Sequence, residues 1–161
     1  MPSVRALGIM NGTSLDGVDF VLCRITKSPV QLKFLKQTQM RFPAKLRARL
    51  LRAAQHKSTV DQLSLLHHDL GRFYATAAKK LGVAGADLAG LHGQTVFHQA
   101  PDATLQIGEA SYLAALMHKP VVADFRVADM ALGGQGAPLA TIVHAALFQK
   151  LIAKHSVAVQ N

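Results

Sequence analysis

Three extended runs open the chain: Val4 to Met10, Val18 to Ile25 and Val30 to Phe42. In the third, Val30, Leu32 and Phe34 alternate with Gln31 and Lys33, the two-residue period of a half-buried strand. Runs this close, joined by turns, predict an antiparallel meander. The period then changes. Pro43 suits the first position of a helix whose stripe is Leu46, Leu50 and Leu51. Ser58, with Asp61 three residues on, fits the cap of a second helix. Leu63, Leu66, Leu70, Phe73, Ala77 and Leu81 recur at steps of three and four, and Gly82 suits its C-terminal cap. On that helix His67 and His68 read as surface decoration.

Beyond Gly85 the elements shorten. Leu88 to Leu91, Val96 to His98, Thr104 to Ile107 and Pro120 to Ala123 read as strands, and Glu109 to Met117 as a short helix. Pro138 starts a helix with Leu139, Ile142, Val143, Leu147 and Leu151 among its apolar positions, and Ser156 to Val159 reads as a last strand. Strands, then helices, then strand, helix, strand predict an α/β domain with a mixed sheet and helices on its faces.

The first two strands flank a turn, Asn11 to Gly17, and the surrounding stretch GIMNGTSLDGVDF (Gly8 to Phe20) organises the chain. Glycines at 12 and 17 let backbone or ligand approach closely. Turn amides can form an anion-binding nest, to which Thr13 and Ser14 add hydroxyl donors. Asp16 and Asp19 are suited to act on a phosphate through Mg²⁺. The same residues also suit a plain hairpin turn. Neither G-x-x-x-x-G-K-[ST] nor a G-x-G-x-x-G that opens a helix is present, so a phosphate here would be gripped by turn amides and hydroxyls with no helix dipole behind them.

At 161 residues, half of them hydrophobic and 17% charged, the chain suits one domain with a substantial core and excludes disorder. No apolar run reaches the roughly 18 residues of a membrane span, and the N-terminus lacks the pattern of a signal peptide. The single cysteine, Cys23, excludes an internal disulfide; cytoplasmic is the default. The net charge of +9 raises the question of a nucleic-acid partner. Its basic residues concentrate at Lys33, Lys36, Arg41, Lys45, Arg47, Arg49, Arg52 and Lys57, with only Phe34 and Phe42 as aromatics and no nucleic-acid motif around them. A solvated basic face accounts for them, as would an acidic remainder of a longer protein.

Polar groups gather at three later strand ends: His92, Gln94 and Thr95; Asp124 and Arg126; and Gly134, Gln135 and Gly136. Open α/β sheets bind ligands outside the carboxyl ends of their strands. Gln and Thr suit sugar hydroxyls or an amide, and Arg126 suits a carboxylate. The bland alternative is an Asp124–Arg126 ion pair beside a tight GGQG connection. His92 and His98, six apart, fall on one face of an alternating strand but find no third ligand, so structural zinc is not supported. No G-x-S-x-G elbow and no partner for Cys23 point to nucleophilic hydrolysis.

Four blocks carry a resemblance: GIMNGTSLDGVD (Gly8 to Asp19), LHGQTVFH (Leu91 to His98), TLQIGE (Thr104 to Glu109) and VVADFRVADMALGGQGAPL (Val121 to Leu139). In this order and spacing they resemble the N-terminal part of the anhydro-N-acetylmuramic acid kinase family. The resemblance implies a sugar kinase/Hsp70/actin-type fold, with this chain as one ribonuclease-H-like lobe. It implies ATP- and Mg²⁺-dependent conversion of 1,6-anhydro-N-acetylmuramic acid to N-acetylmuramate 6-phosphate in cell-wall recycling. On that reading Gly12, Thr13, Ser14, Leu15, Asp16, Gly17, Val18 and Asp19 form the first nucleotide phosphate loop. His92, Gln94, Thr95, Asp124, Arg126, Gly134, Gln135 and Gly136 would face the anhydrosugar.

Two departures stand out. Asn11 occupies a position where serine is usual in the family. The family's catalytic aspartate and adenosine-binding elements are expected beyond Asn161, so the chain reads as a first lobe with the C-terminal lobe absent and little activity of its own. A binding remnant that holds sugar or phosphate without turnover is the alternative. An exposed face where a second lobe should pack would favour self-association as a homodimer.

Overall fold

The computed structural model describes residues 3–12, 14–27 and 30–152. The meander forms as expected: β1 (Ser3–Met10), β2 (Gly17–Lys27) and β3 (Val30–Arg41) pair antiparallel in sequence. Two helices follow, α1 (Ala44–Ala54) and α2 (Val60–Lys80). Then come β4 (Leu88–Leu91), β5 (Gln94–Gln99), β6 (Ala103–Ile107), α3 (Ser111–Met117), β7 (Val121–Val122), α4 (Phe125–Ala131) and α5 (Ala140–Ile152). β4 pairs parallel with β1, and β7 parallel with β4, giving a five-stranded mixed sheet in the order β3-β2-β1-β4-β7. β5 and β6 form a separate hairpin. The expected strand at Ser156 to Val159 lies outside the described residues.

Alternation along β1 sends Leu7 and Ile9 to one face, and Val18 and Phe20 of β2 join them. Leu46 and Leu50 of α1 and Leu66, Leu70, Tyr74, Ala77 and Ala78 of α2 close over that face as the core. The opposite side carries Gly8, Met10, Asp19, Val21 and Gly90, which line an open concavity of about 300 Å³ together with His92 and Phe125.

Several local expectations are corrected. Pro43 precedes α1 rather than opening it: its ψ of 144° is extended, while its carbonyl accepts the Arg47 amide at 2.9 Å. The cap of α2 is Thr59, not Ser58, and its partner is Gln62, whose Oε1 accepts the Thr59 amide at 3.3 Å. Asp61 instead accepts the Thr59 hydroxyl. His67 is structural rather than decorative. Its Nδ1 accepts the Gly108 amide at 3.1 Å and its Nε2 faces Glu109 at 3.0 Å, tying α2 to the turn before α3. Helix α4 was not expected, and α5 starts at Ala140 rather than Pro138.

The basic stretch is divided between β3 and α1, and part of it is internal tie. Arg49 reaches Asp69 on α2 at 2.6 Å, and Lys36 reaches the Leu81 carbonyl at 2.7 Å. Cys23 is buried in β2, where burial pushes its thiol pKa up and keeps it unreactive.

The α2–α3 junction is tight because Gly71 has no side chain: a Cβ there would collide with the Glu109 carbonyl oxygen. Alanine gains about 1 kcal/mol of helix propensity over glycine, but overpacking against backbone costs about 1–3 kcal/mol. Gly71→Ala is therefore expected to lower stability in urea unfolding. Gly85→Ala, where a Cβ meets nothing within 4 Å, should be near neutral.

Candidate active site

The parallel strands place the candidate residues. β1, β4 and β7 run the same way, so the turn at 11–16, the segment at 92–93 and the segment at 123–126 leave one edge of the sheet. β2 begins at this edge, since Met10 pairs with Asp19. The carboxyl-end rule thus brings the first, second and fourth sequence blocks together.

Within the turn, Leu15 and Val18 are core anchors, 4% and 0% exposed, and Gly17 is buried against β3, where a Cβ would come 2.5 Å from the Met40 carbonyl. Gly12, Ser14 and Asp16 are exposed, Asp19 is half-buried, and Thr13 lies outside the described residues. Leu15 takes the left-handed conformation, φ 56°. Its carbonyl is held by Arg47 Nε at 2.9 Å, and Arg47 Nη2 lies 3.8 Å from Asp16. The Leu15 carbonyl therefore faces α1, and across the trans peptide the Asp16 amide faces away from it. The turn joins strand to strand, as expected, with no helix behind it.

Gln94 turns inward, 1% exposed, instead of facing the open edge. Its Nε2 donates to the Thr95 carbonyl at 3.2 Å, and its Oε1 accepts from Asn11 Nδ2. Tyr74 of α2 donates its hydroxyl to Asn11 Oδ1 at 2.6 Å. With Asn11 4% and Tyr74 0% exposed, this is a buried, satisfied polar chain between the first and second blocks. Burial raises the phenol pKa strongly, so Tyr74 remains a donor at any physiological pH. Thr95 is half-buried and accepts from Gln106 Nε2 at 3.4 Å.

His92 is the hub of the open side. Arg126 Nε donates to His92 Nε2 at 3.0 Å, and a guanidinium can only donate. The proton of the neutral ring therefore sits on Nδ1, which donates to the Gly93 carbonyl at 3.0 Å. Burial lowers the His92 pKa; the Gly93 bond opposes that shift and the Arg126 charge adds to it.

Arg126 also donates from Nη1 to the Gly136 carbonyl at 3.3 Å, and among the described residues Nη2 has no hydrogen-bond partner. No ion pair joins Asp124 and Arg126 among the described residues. Asp124 is exposed, left-handed at φ 59°, and starts α4. Asp129, passed over in the sequence, shapes the glycine loop: its Oδ2 accepts the Gly136 amide at 2.7 Å, and its carbonyl accepts the Gly134 amide at 2.9 Å. A Cβ at Gly134 would collide with that carboxylate. Gln135 is left exposed at the loop tip.

Beside His92 a small cavity of about 80 Å³ is lined by His67, Gln106, Glu109 and Asp124, among others. Ser111, through its hydroxyl and then its amide, and His67 after them, pull the Glu109 pKa down to about 2. His98 lies apart, exposed on β5 and bonded to Thr104 at 3.1 Å. No cluster of three metal-ligating side chains occurs among the described residues.

The family model for anhydro-N-acetylmuramic acid kinase matches residues 4–161. The chain belongs to the anhydro-N-acetylmuramic acid kinase family. A kinase of that name from Prochlorococcus marinus (strain MIT 9211) is 43% identical over 150 residues, covering 88% of this chain and 40% of that protein. One from Vibrio vulnificus (strain CMCP6) is 41% identical over 152 residues, 88% of this chain and 40% of its own length. One from Sulfurimonas denitrificans is 38% identical over 164 residues, 96% and 44% respectively. The chain thus spans about two fifths of the length of these relatives. No helix among the described residues is long and apolar enough to cross a membrane.

Sequence reading missed Tyr74, Arg47 and Asp129. Tyr74 sits in an apolar helical stripe that reads as core, and Arg47 sits in a run of bases. Only Asp129 left a signal, an acid five residues before a glycine loop.

The His92 pKa carries a sign. A folded-state value below the ordinary 6.5 means that the unfolded chain binds the proton more readily. The stabilising contribution is complete above about pH 6.5 and is lost as pH falls through the folded value. An NMR titration should show the Nδ1-protonated neutral ring at pH 7 and a midpoint below 6.5. A midpoint at or above 6.5 contradicts the Arg126–His92 bond.

Proposed function

We propose that this chain is the N-terminal lobe of an ATP-dependent kinase that converts 1,6-anhydro-N-acetylmuramic acid to N-acetylmuramate 6-phosphate during cell-wall recycling in the cytoplasm. Membership of the family, which has the sugar kinase/Hsp70/actin fold, supports this reading. The lobe is of the ribonuclease-H type. The observation that carries the proposal is the shared sheet edge, where the 11–17 turn lies beside His92, Asp124, Arg126 and the 134–136 loop.

In this reading Arg126 Nη2 takes the lactyl carboxylate, while His92 and the Gly136 carbonyl hold the guanidinium in plane. Asp124 and Thr95 present acceptors to sugar hydroxyls. Gln94 and Gly134 to Gly136 shape the wall behind them. The nucleotide's phosphates would lie on the 12–17 turn, where Gly12, Ser14 and Asp16 are exposed and the Ser14 hydroxyl is a donor. Asp16 and Asp19 would hold Mg²⁺ through its waters, since this ion takes one or two carboxylates alongside phosphate oxygens. ATP supplies the phosphoryl group and Mg²⁺ neutralises its charge. Opening the 1,6-anhydro bridge adds water at the anomeric carbon, so that the freed O6 accepts the phosphoryl group. In this proposal the base for that water would come from outside these residues, and an oriented base is worth about 10²–10⁴ in rate. A second reading, a sugar-binding module without turnover, is favoured by the closed His92–Arg126–Gly136–Asp129 network, which this chain completes by itself.

Two measurements test the proposal. The 161-residue chain alone should show little or no phosphorylation of the anhydrosugar; robust turnover contradicts the lobe assignment. In calorimetric titration of the protein as its source makes it, Arg126→Lys should weaken anhydrosugar affinity about 10–100-fold by losing planar recognition of a carboxylate. Unchanged affinity removes Arg126 from the site.

A further inference from the structure

We infer that Tyr74, on α2 and outside every sequence block that marks the site, is a positioning residue that sets the first turn against the 92–95 segment. The direction of its hydrogen-bond chain is fixed from one end. The Thr95 carbonyl can only accept, so the Gln94 group facing it is Nε2 and its Oε1 faces Asn11. Asn11 must then present Nδ2 to Gln94 and Oδ1 to Tyr74, whose hydroxyl donates. Every member has one orientation, and none is exposed by more than 4%.

The consequence is positional. Asn11 opens the turn, and its side chain is turned inward while Gly12, Ser14 and Asp16 are exposed. The backbone leaving Gln94 continues into β5, whose partner β6 ends at Ile107. Gly108, next in sequence, packs on the Tyr74 ring, where a Cβ would lie 2.5 Å from it. One tyrosine thus contacts the turn after β1 and the loop after β6, and reaches the start of β5 through Asn11. An asparagine has both an acceptor and a donor to span Tyr74 and Gln94. A serine at this position would be shorter and would carry a single oxygen.

The functional side of this inference rests on the nucleotide reading of the turn; the positional side does not. The test compares the 161-residue chain with Tyr74→Phe, Asn11→Ser and the double variant. Amide hydrogen exchange and 1H–15N spectra are recorded, each with and without MgATP. Tyr74→Phe should speed exchange about fivefold or more at Gly12, Asp16 and Thr95, the loss of one buried hydrogen bond. The slowest β2–β3 amides, which report global opening, should change less. The Asn11 and Gln94 side-chain amide resonances should shift. In the Asn11→Ser background, removing the hydroxyl should add less than about twofold, because the shorter side chain no longer brings its oxygen to Tyr74. A uniform change at all amides, or none at either loop, would mean that Tyr74 only fills the core and overturns the inference. Lack of MgATP-induced shifts at Gly12 to Asp19 in the unsubstituted chain would remove the nucleotide reading and leave the exchange result to decide the positional claim.

Discussion

The Tyr74 hydroxyl donating to Asn11 is the contact on which the geometry of the open edge depends. Burying three polar side chains between a sheet and a helix is costly unless every donor and acceptor is paired. Here each of the three side chains has its polar atoms partnered, so the arrangement is specific: sliding β1 or α2 by one residue would orphan a hydroxyl, an amide or both. Apolar packing in the core tolerates small shifts, and a directional chain does not. The core holds the lobe together, and the polar chain sets where its loops point.

Around that constraint the two halves of the edge are built differently. The 11–17 turn is fastened from behind, by Leu15 and Val18 in the core and by Arg47 on the Leu15 carbonyl, and Gly12, Ser14 and Asp16 are exposed. The wall of His92, Arg126 and the 134–136 loop is fastened by hydrogen bonds from side chains to one another and to backbone. Arg126 braces His92 and Gly136, while Asp129 folds the glycine loop back onto α4. An exposed glycine and serine in a turn suit phosphates, which accept from amides and hydroxyls. A wall of His, Arg and Asp suits a polyhydroxylated ligand that carries a carboxylate.

Much of the fold was legible because its signals are local. Alternation at Val30 to Phe34 and the three-and-four spacing from Leu63 to Leu81 depend on one element at a time, and each became that element. The carboxyl-end clustering of His92, Asp124 and Arg126 was also readable, since it follows from strand order. What was not legible depends on partners distant in sequence. Gln94 reads as a ligand group, but its side chain is claimed by Asn11, 83 residues away. His67 reads as decoration until Gly108 and Glu109 fold onto it. Helix α4 was hidden because Asp124 adopts a left-handed turn that no periodicity announces, and a seven-residue helix is too short to declare its own stripe.

The most direct test of the central claim is a chemical-shift map of the isotope-labelled chain titrated with 1,6-anhydro-N-acetylmuramic acid. The account predicts perturbations centred on His92, Asp124, Arg126 and Gly134 to Gly136, with the Arg126 side-chain resonances moving most. Perturbations centred instead on the basic residues from Lys33 to Lys57, or none at saturating sugar, would contradict it.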